Sequence, residues 1–242
     1  MESWGATHVG HVRSNNEDSF DSVPELGFYV VADGLGGAAA GERASKLAVE
    51  TIVAEVRAAG EAVTTQQVSQ AVELANRQIR WAAENDLSLR GMGTTVTAAI
   101  ARPGQLQLVN AGDSRAYRLR LGTLECLTAD HTWIRELAAD KEVHPDQLRN
   151  HPYRHMLTKA VGSEPRVGPD ASKAEFGSGD ILLLCTDGLH GVLNDEEISA
   201  VLDRGDSMEE TAEALIAATL DRGAPDNVTV LLVRHPGTES AS

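Results

Sequence analysis

Cysteine is scarce in this chain. Only Cys126 and Cys185 occur among 242 residues, far apart, each in an apolar, strand-like run. Two such residues do not make a disulfide framework, and the pattern predicts that both pack in a core rather than bridge or attack. No Cys/His cluster suits zinc. Long apolar runs are missing too: none approaches the ~20 residues that span a bilayer. The opening MESWGATHVGHVRSNNED has no apolar signal-peptide core. These absences lead to the expectation of a cytoplasmic protein. Basic charge is in deficit, with 21 Lys and Arg against 36 Asp and Glu and a net charge of −15. That argues against nucleic acid or an anionic membrane as a partner. No internal repeat and no low-complexity linker divides the chain, so one domain over residues 1–242 is expected. Its small, polar tail should fray from about residue 237.

What is present is an ordinary 42% of hydrophobic residues, arranged with two periods. Segment 27–33, GFYVVAD, reads as a short buried strand ending at Asp33. The glycines of GLGGAAAG predict irregular backbone. Ala44, Leu47, Ala48, Ile52 and Val56 then share one helical face. Thr64 and Gln67 fit a capping box that opens a second helix, whose apolar face is Val68, Ala71, Val72, Ala75, Ile79 and Ala82. Segments 93–101, 105–110, 114–120 and 122–127 read as strands of an antiparallel meander. Residues 131–158 are polar and histidine-rich, helical or irregular. Segment 180–186, DILLLCT, is a fully buried strand. Two helices with caps at Asn194 (Glu197) and Ser207 (Glu210) lead to a last strand over 227–234. This order predicts an α+β fold, with two sheets packed on each other and helices outside.

Acidic motifs stand where these strands end: Glu17-Asp18, Asp33-Gly34, Asp113, Asp187-Gly188 and Asp226-Asn227. Isolated carboxylates drawn from distant loops are how a fold gathers hard oxygen ligands for Mg²⁺ or Mn²⁺. Arg13 lies just ahead of the first motif, and a guanidinium offers a planar fork to phosphoryl oxygens. Two divalent ions about 3.5–4 Å apart can lower the pKa of a bridging water for in-line attack on phosphorus. Asp33, at a sharp strand end, suits a bridging role. Glycine at position 34 lets a carbonyl approach a metal.

In order, the motifs are RSNNED (13–18), ADGLGG (32–37), GMGTTV (91–96), AGDSRAY (111–117), LTADHT (127–132), LLLCTDGL (182–189) and DNVTVLLV (226–233). Together, from about Gly5 to Val233, they resemble the PP2C, or PPM, family of metal-dependent protein serine/threonine phosphatases, in its stand-alone bacterial form. The resemblance implies a central β-sandwich of two antiparallel sheets flanked by helices (αββα), with the metal site at one end. It implies that Asp33 bridges two Mn²⁺ or Mg²⁺ ions and that Gly34 gives a carbonyl. Asp187 and Asp226 complete the first ion's carboxylates, and Glu17 and Asp18 form the acidic pair near the second. Asp113, with Asp187, would hold a third, weaker ion, and Arg13 would grip the substrate phosphate. The implied partners are phosphorylated proteins and a cognate Ser/Thr kinase, in a pathway that could be type VI secretion control, and the implied protein is a monomer. Leu35 departs from relatives that carry a histidine there, so another donor or water must protonate the leaving group. Residues 133–155 resemble a mobile flap beside the active site.

Rival readings stand beside these. Arg13 could pair with Glu17 or Asp18, and Asp113 could make a structural turn. His131 reads as a structural hydrogen bond, Thr94 and Thr95 as support for a strand near the site, and Trp4, Trp81 and Trp133 as packing residues. His8, His11 and His190 have no partner that sequence identifies. Two other functions compete: a phosphoprotein-binding module without turnover, and a phosphatase of small phosphoesters.

Overall fold

The computed structural model describes residues 1–138 and 156–235, the side chains of 38 and 39 excepted. Strands β1 (Glu2–His8), β2 (Asp18–Val23) and β3 (Phe28–Leu35) come first, followed by helices α1 (Ala38–Ala59) and α2 (Thr65–Asn85). Strands β4 (Gly93–Thr94), β5 (Val96–Arg102), β6 (Gln105–Ala111), β7 (Arg115–Arg120) and β8 (Thr123–Cys126) precede the short α3 (Trp133–Ala138). Later come β9 (Asp170–Ala174), β10 (Ile181–Cys185), α4 (Asp187–His190), α5 (Asp195–Leu202), α6 (Met208–Leu220) and β11 (Val228–Arg234).

One sheet has the order β1-β11-β10-β7-β8, and the other β2-β3-β5-β6-β9, with β4 paired to β3. Every pairing is antiparallel. The central strands read as unbroken apolar runs because both of their faces are covered. In β3, Tyr29 and Val31 face the inter-sheet core with Leu182, Leu184, Leu231 and Val233. Their neighbours Phe28, Val30 and Ala32 pack instead with Ala44, Ala48, Ile52, Val72 and Ile79 of α1 and α2. In β10 and β11, Leu183, Cys185, Val230 and Leu232 meet Ile198, Leu202, Met208 and Leu215 of α5 and α6. The expected α+β sandwich with helices outside is therefore what forms. All three expected capping boxes are present, at Thr64, Asn194 and Ser207.

Several expectations need correction. Residues 38–41 are helical, since α1 begins at Ala38, and Gly34 and Leu35 belong to β3, so only Gly36 and Gly37 are irregular. Strands β1, β2 and β9 escape an apolar pattern because all three are sheet edges, where one flank needs no partner strand and polar residues are tolerated. Cys126 is exposed on the edge strand β8, whereas Cys185 is buried as expected. Trp4 and Trp81 are 42% and 68% exposed, so neither is a core residue. Most of the expected flap, residues 139–155, and the tail from 237 lie outside the described residues. Among the described residues, no helix is long and apolar enough to cross a membrane.

Candidate active site

The strand ends converge at one end of the sandwich. A cleft of about 640 Å³ there is lined by Arg13, Glu17, Asp33, Gly34, Leu35, Asp113, Asp187 and Asp226, among others. Seven of the eight residues expected to act in catalysis or metal binding thus meet in one place. The eighth, Asp18, does not line the cleft. It is buried, directly across from Asp33 in the β2–β3 register. Its Oδ2 accepts hydrogen bonds from the hydroxyls of Thr186 (2.8 Å) and Thr229 (2.7 Å), while Oδ1 has no partner.

Close backbone approach brings these loops together. A Cβ on Gly34 would lie 2.2 Å from the Gly41 carbonyl oxygen and 2.5 Å from that of Glu17. Glycine is therefore needed at 34 to pack β3 against the first turn of α1 and the start of β2. Gly188 is constrained in the same way, with a Cβ falling 1.8 Å from the Asn227 carbonyl oxygen. That contact seats the Asp187 turn against the Asp226 turn.

Hydrogen bonds then fix each carboxylate's backbone. Asp33 N–H donates to Thr95 Oγ1 (2.9 Å), and Thr94 Oγ1 donates to the Asp33 carbonyl (2.8 Å). The two threonines support the strand, as expected. Thr95 Oγ1 also meets Ser114 Oγ at 2.7 Å, beside Asp113. His131 Nδ1 accepts from Gly112 N–H at 3.1 Å, the structural role expected of it. Arg13 pairs with neither Glu17 nor Asp18; its guanidinium donates to Asp226 Oδ2 at 2.7 Å, with both side chains part-exposed.

So many carboxyls in one place are costly to ionise. Burial, and then the charges of Asp18, Asp187, Asp113 and Asp226, hold the Asp33 carboxyl well above the ordinary range. Burial and then Asp187 and Asp130 push Asp113 up to about 7. Burial also lifts Asp18 to about 7, against the opposing pull of the Thr229 and Thr186 hydroxyls. Glu17 is raised by burial, with Arg13 working in the other direction. Among the described residues, no three His, Cys, Asp or Glu side chains are drawn into a closed cage: Asp226 turns to Arg13 and Asp18 to its threonines.

Sequence reasoning missed two residues that organise the site. Asn227 Oδ1 accepts the Glu17 N–H at 2.8 Å, and its Nδ2 donates to the carbonyls of Val9 (2.9 Å) and Asn15 (3.0 Å). The only signal was its place beside Asp226. His190 Nε2 lies 3.0 Å from the Asp113 carbonyl oxygen, and its signal was a position one helical turn after Asp187.

A family model described as protein phosphatase 2C matches residues 5–222. The chain belongs to the protein phosphatase 2C family. Membership gives the reaction class, hydrolysis of serine/threonine phosphoproteins. Among relatives, a serine/threonine phosphatase stp of Listeria welshimeri is 36% identical, covering 95% of this chain and 94% of that protein. PstP of Mycobacterium tuberculosis is 37% identical, covering 92% of this chain but 43% of that longer protein. Among solved structures, PppA, a key regulatory component of T6SS in Pseudomonas aeruginosa, has a TM-score of 0.86 at 36% identity and covers 96% of both chains. The catalytic domain of PstP in complex with two manganese ions has a TM-score of 0.84 at 34% identity, again covering 96% of both.

Proposed function

We propose that this phosphatase hydrolyses phosphoserine and phosphothreonine esters on proteins at a binuclear Mn²⁺ or Mg²⁺ centre in the cleft. The observation that carries the reading is the convergence of Glu17, Asp33, Asp113, Asp187, Asp226 and Arg13 on one cleft. The donor set fits hard divalent cations: carboxylates and backbone carbonyls, with no cysteine or histidine in the lining among the described residues. Asp33 and Asp113, held up by burial and mutual repulsion, are the groups a cation would relieve. The two manganese ions of the PstP neighbour support the same reading.

In this reading Asp33, the Gly34 carbonyl, Glu17, Asp187 and Asp226 would hold the two central ions, Asp33 being shared between them. Asp113 and Asp187 would hold a third, weaker ion, and Asp18, buried across from Asp33 in the strand pairing, would complete the acidic pair near the second. When bound, the ions supply a water of lowered pKa as nucleophile and neutralise phosphoryl charge. Arg13, 48% exposed at the cleft, turns its fork from Asp226 to two phosphoryl oxygens and orients the ester. Leu35 lines the cleft and carries no proton, so the leaving alkoxide would take its proton from another donor or from water.

The test is phosphate release from a phosphothreonine peptide with Mn²⁺, with EDTA, and with Asp33→Ala. Metal-dependent release that falls at least about 100-fold in the variant is expected. Tight peptide binding with no release under any divalent ion would replace the enzyme with a binding module. Faster turnover of sugar phosphates or nucleotides than of phosphopeptides would favour small phosphoesters. For the pathway, the likeness to PppA supports a role opposing a Ser/Thr kinase in type VI secretion control. Unchanged phosphorylation of secretion components after gene deletion would refute that placement.

A further inference from the structure

Asp113 and Asp187 reach the cleft from turns that nothing in the sequence brings together. Asp113 follows β6, and Asp187 opens the one-turn helix α4 after β10. Both carboxyl-bearing residues line the same cleft. Gly188, packed on Asn227, holds the Asp187 turn from the side of β11. His131 holds the Asp113 turn from its other side, through the Gly112 N–H. The β7–β10 pairing sets Arg115 opposite Cys185 and so brings the two turns side by side, and a side chain adds a direct tie between them. His190, the last residue of α4, places Nε2 3.0 Å from the main-chain carbonyl oxygen of Asp113.

A carbonyl oxygen only accepts, so His190 Nε2 carries the proton and donates it. The ring is part-buried, beside the Arg115–Asp130 ion pair, in which both guanidinium nitrogens that donate lie within 2.9 Å of the carboxylate. Arg115 also donates to Tyr117 Oη (2.8 Å), which donates onward to Asp195 at the start of α5. Of the charged groups facing the ring, Arg115 and Asp130 are thus paired with each other and Asp195 is bonded to Tyr117. What remains for His190 is to hold the Asp113 main chain at a set distance from α4.

We propose that His190 is a positioning residue that sets the spacing of Asp113 and Asp187 and so tunes a weak divalent-cation site between them, apart from the central pair of sites. The inference rests on the metal-centre reading given above. It goes beyond that reading by assigning the affinity of one site to a residue that touches no ion and no substrate. Losing the tether lets the Asp113 turn relax away from Asp187. The central ligands have anchors besides His190, Asp33 through Thr94 and Thr95 (the latter also bonded to Ser114 beside Asp113) and the Glu17 segment through Asn227.

The experiment is Mn²⁺ binding to the full chain, followed by electron paramagnetic resonance of free Mn²⁺ without substrate. Wild type, His190→Ala, His190→Gln, Asp113→Ala and Asp33→Ala are compared. Wild type should show a tight class and a weak class, with Asp113→Ala removing only the weak one. His190→Ala should weaken the weak class roughly 10-fold, the low end for residues that orient a ligand, and leave the tight class within about twofold. His190→Gln, which keeps an N–H donor, should recover most of that loss. The proposal is overturned if His190→Ala leaves the weak class unchanged, if it weakens both classes equally, if glutamine gives no recovery, or if wild type has no weak class. A tight class that survives Asp33→Ala would instead overturn the metal-centre reading itself.

Discussion

Asn227 and Glu17 lie 210 positions apart in sequence, yet the Asn227 side chain accepts the Glu17 main-chain N–H at 2.8 Å. The same amide donates to Val9 and Asn15, so one side chain ties β11 to both sides of the loop that carries Arg13. Replacing Asn227 with alanine strands the Glu17 N–H and two carbonyls, at about 1–3 kcal/mol for a buried group left unpaired. We expect Asn227→Ala to lose stability in that range and to raise KM for phosphopeptide, because the loop no longer holds Arg13 over the cleft. Urea unfolding together with steady-state kinetics checks both. A normal KM would mean that the loop is held by other contacts.

Arg13 has two partners to choose between, Asp226 as seen here and a substrate phosphate in the proposed reaction. Its removal should therefore cost transition-state binding far more than stability. We expect Arg13→Ala to lower kcat/KM roughly 100-fold, comparable to the loss of one preorganised donor to a developing negative charge. The melting temperature should hardly move, since a part-exposed ion pair contributes little. Arg13→Lys should restore only part of the rate, because an ammonium keeps the charge but not the fork. Full activity in Arg13→Lys would show that charge alone is what matters.

The acidic cleft makes metal removal a matter of stability as well as activity. Asp18 and Asp113 sit at about 7 in the folded protein, against an ordinary carboxyl value of 3.8. Between those values the folded chain binds more protons than the unfolded chain, so stability falls as pH rises through that window. In EDTA the melting temperature should carry this downward contribution from about pH 4 to pH 7. Saturating Mn²⁺ supplies positive charge in place of those protons and adds binding free energy to the native state. The gap between the two melting curves should therefore widen toward pH 7 and then level off. A gap independent of pH would separate metal binding from these carboxyls.

At the opposite end of the sandwich, Asp180 works the other way. It is buried and accepts from Arg120 Nε (3.0 Å), from the terminal Arg120 nitrogen (2.7 Å) and from the Gly177 N–H (2.7 Å). Burial alone would raise this carboxyl, but the Arg120 and Gly177 hydrogen bonds outweigh it and hold it below the ordinary value. Its contribution is thus complete above the unfolded-state value near 4 and is lost as pH falls through the lower folded value. We expect Asp180→Asn to cost about 1–3 kcal/mol from pH 8 down to about pH 5, with the difference narrowing only in stronger acid. Phosphatase activity per folded molecule should not change. Equal stability of variant and wild type at pH 7 would remove the ion pair from the account.

The sequence by itself determined which segments could be strands and helices, and marked the side chains expected to carry the chemistry. Unbroken apolar runs such as Ile181–Cys185 could lie only where both faces are covered, and acidic residues at strand ends could meet only if those strands shared a sandwich. Caps at Thr64, Asn194 and Ser207 were legible because they are local, three-residue hydrogen bonds. Edge strands were not legible: β1, β2 and β9 take their identity from a neighbour on one side, and that pairing leaves no period in their own residues. Cys126 read as core because its run is apolar, but only the sheet order places β8 at the edge and leaves its thiol exposed.

Only the tertiary structure decided where each carboxylate lies relative to the cleft. It put Glu17 on the cleft and left Asp18 buried across from Asp33, bonded to the Thr186 and Thr229 hydroxyls. It likewise gave Asn227 and His190 their roles, since each acts on the main chain of a residue 77 or more positions away. Contacts of that length are made by folding rather than by neighbouring residues, and no local pattern in the chain records them.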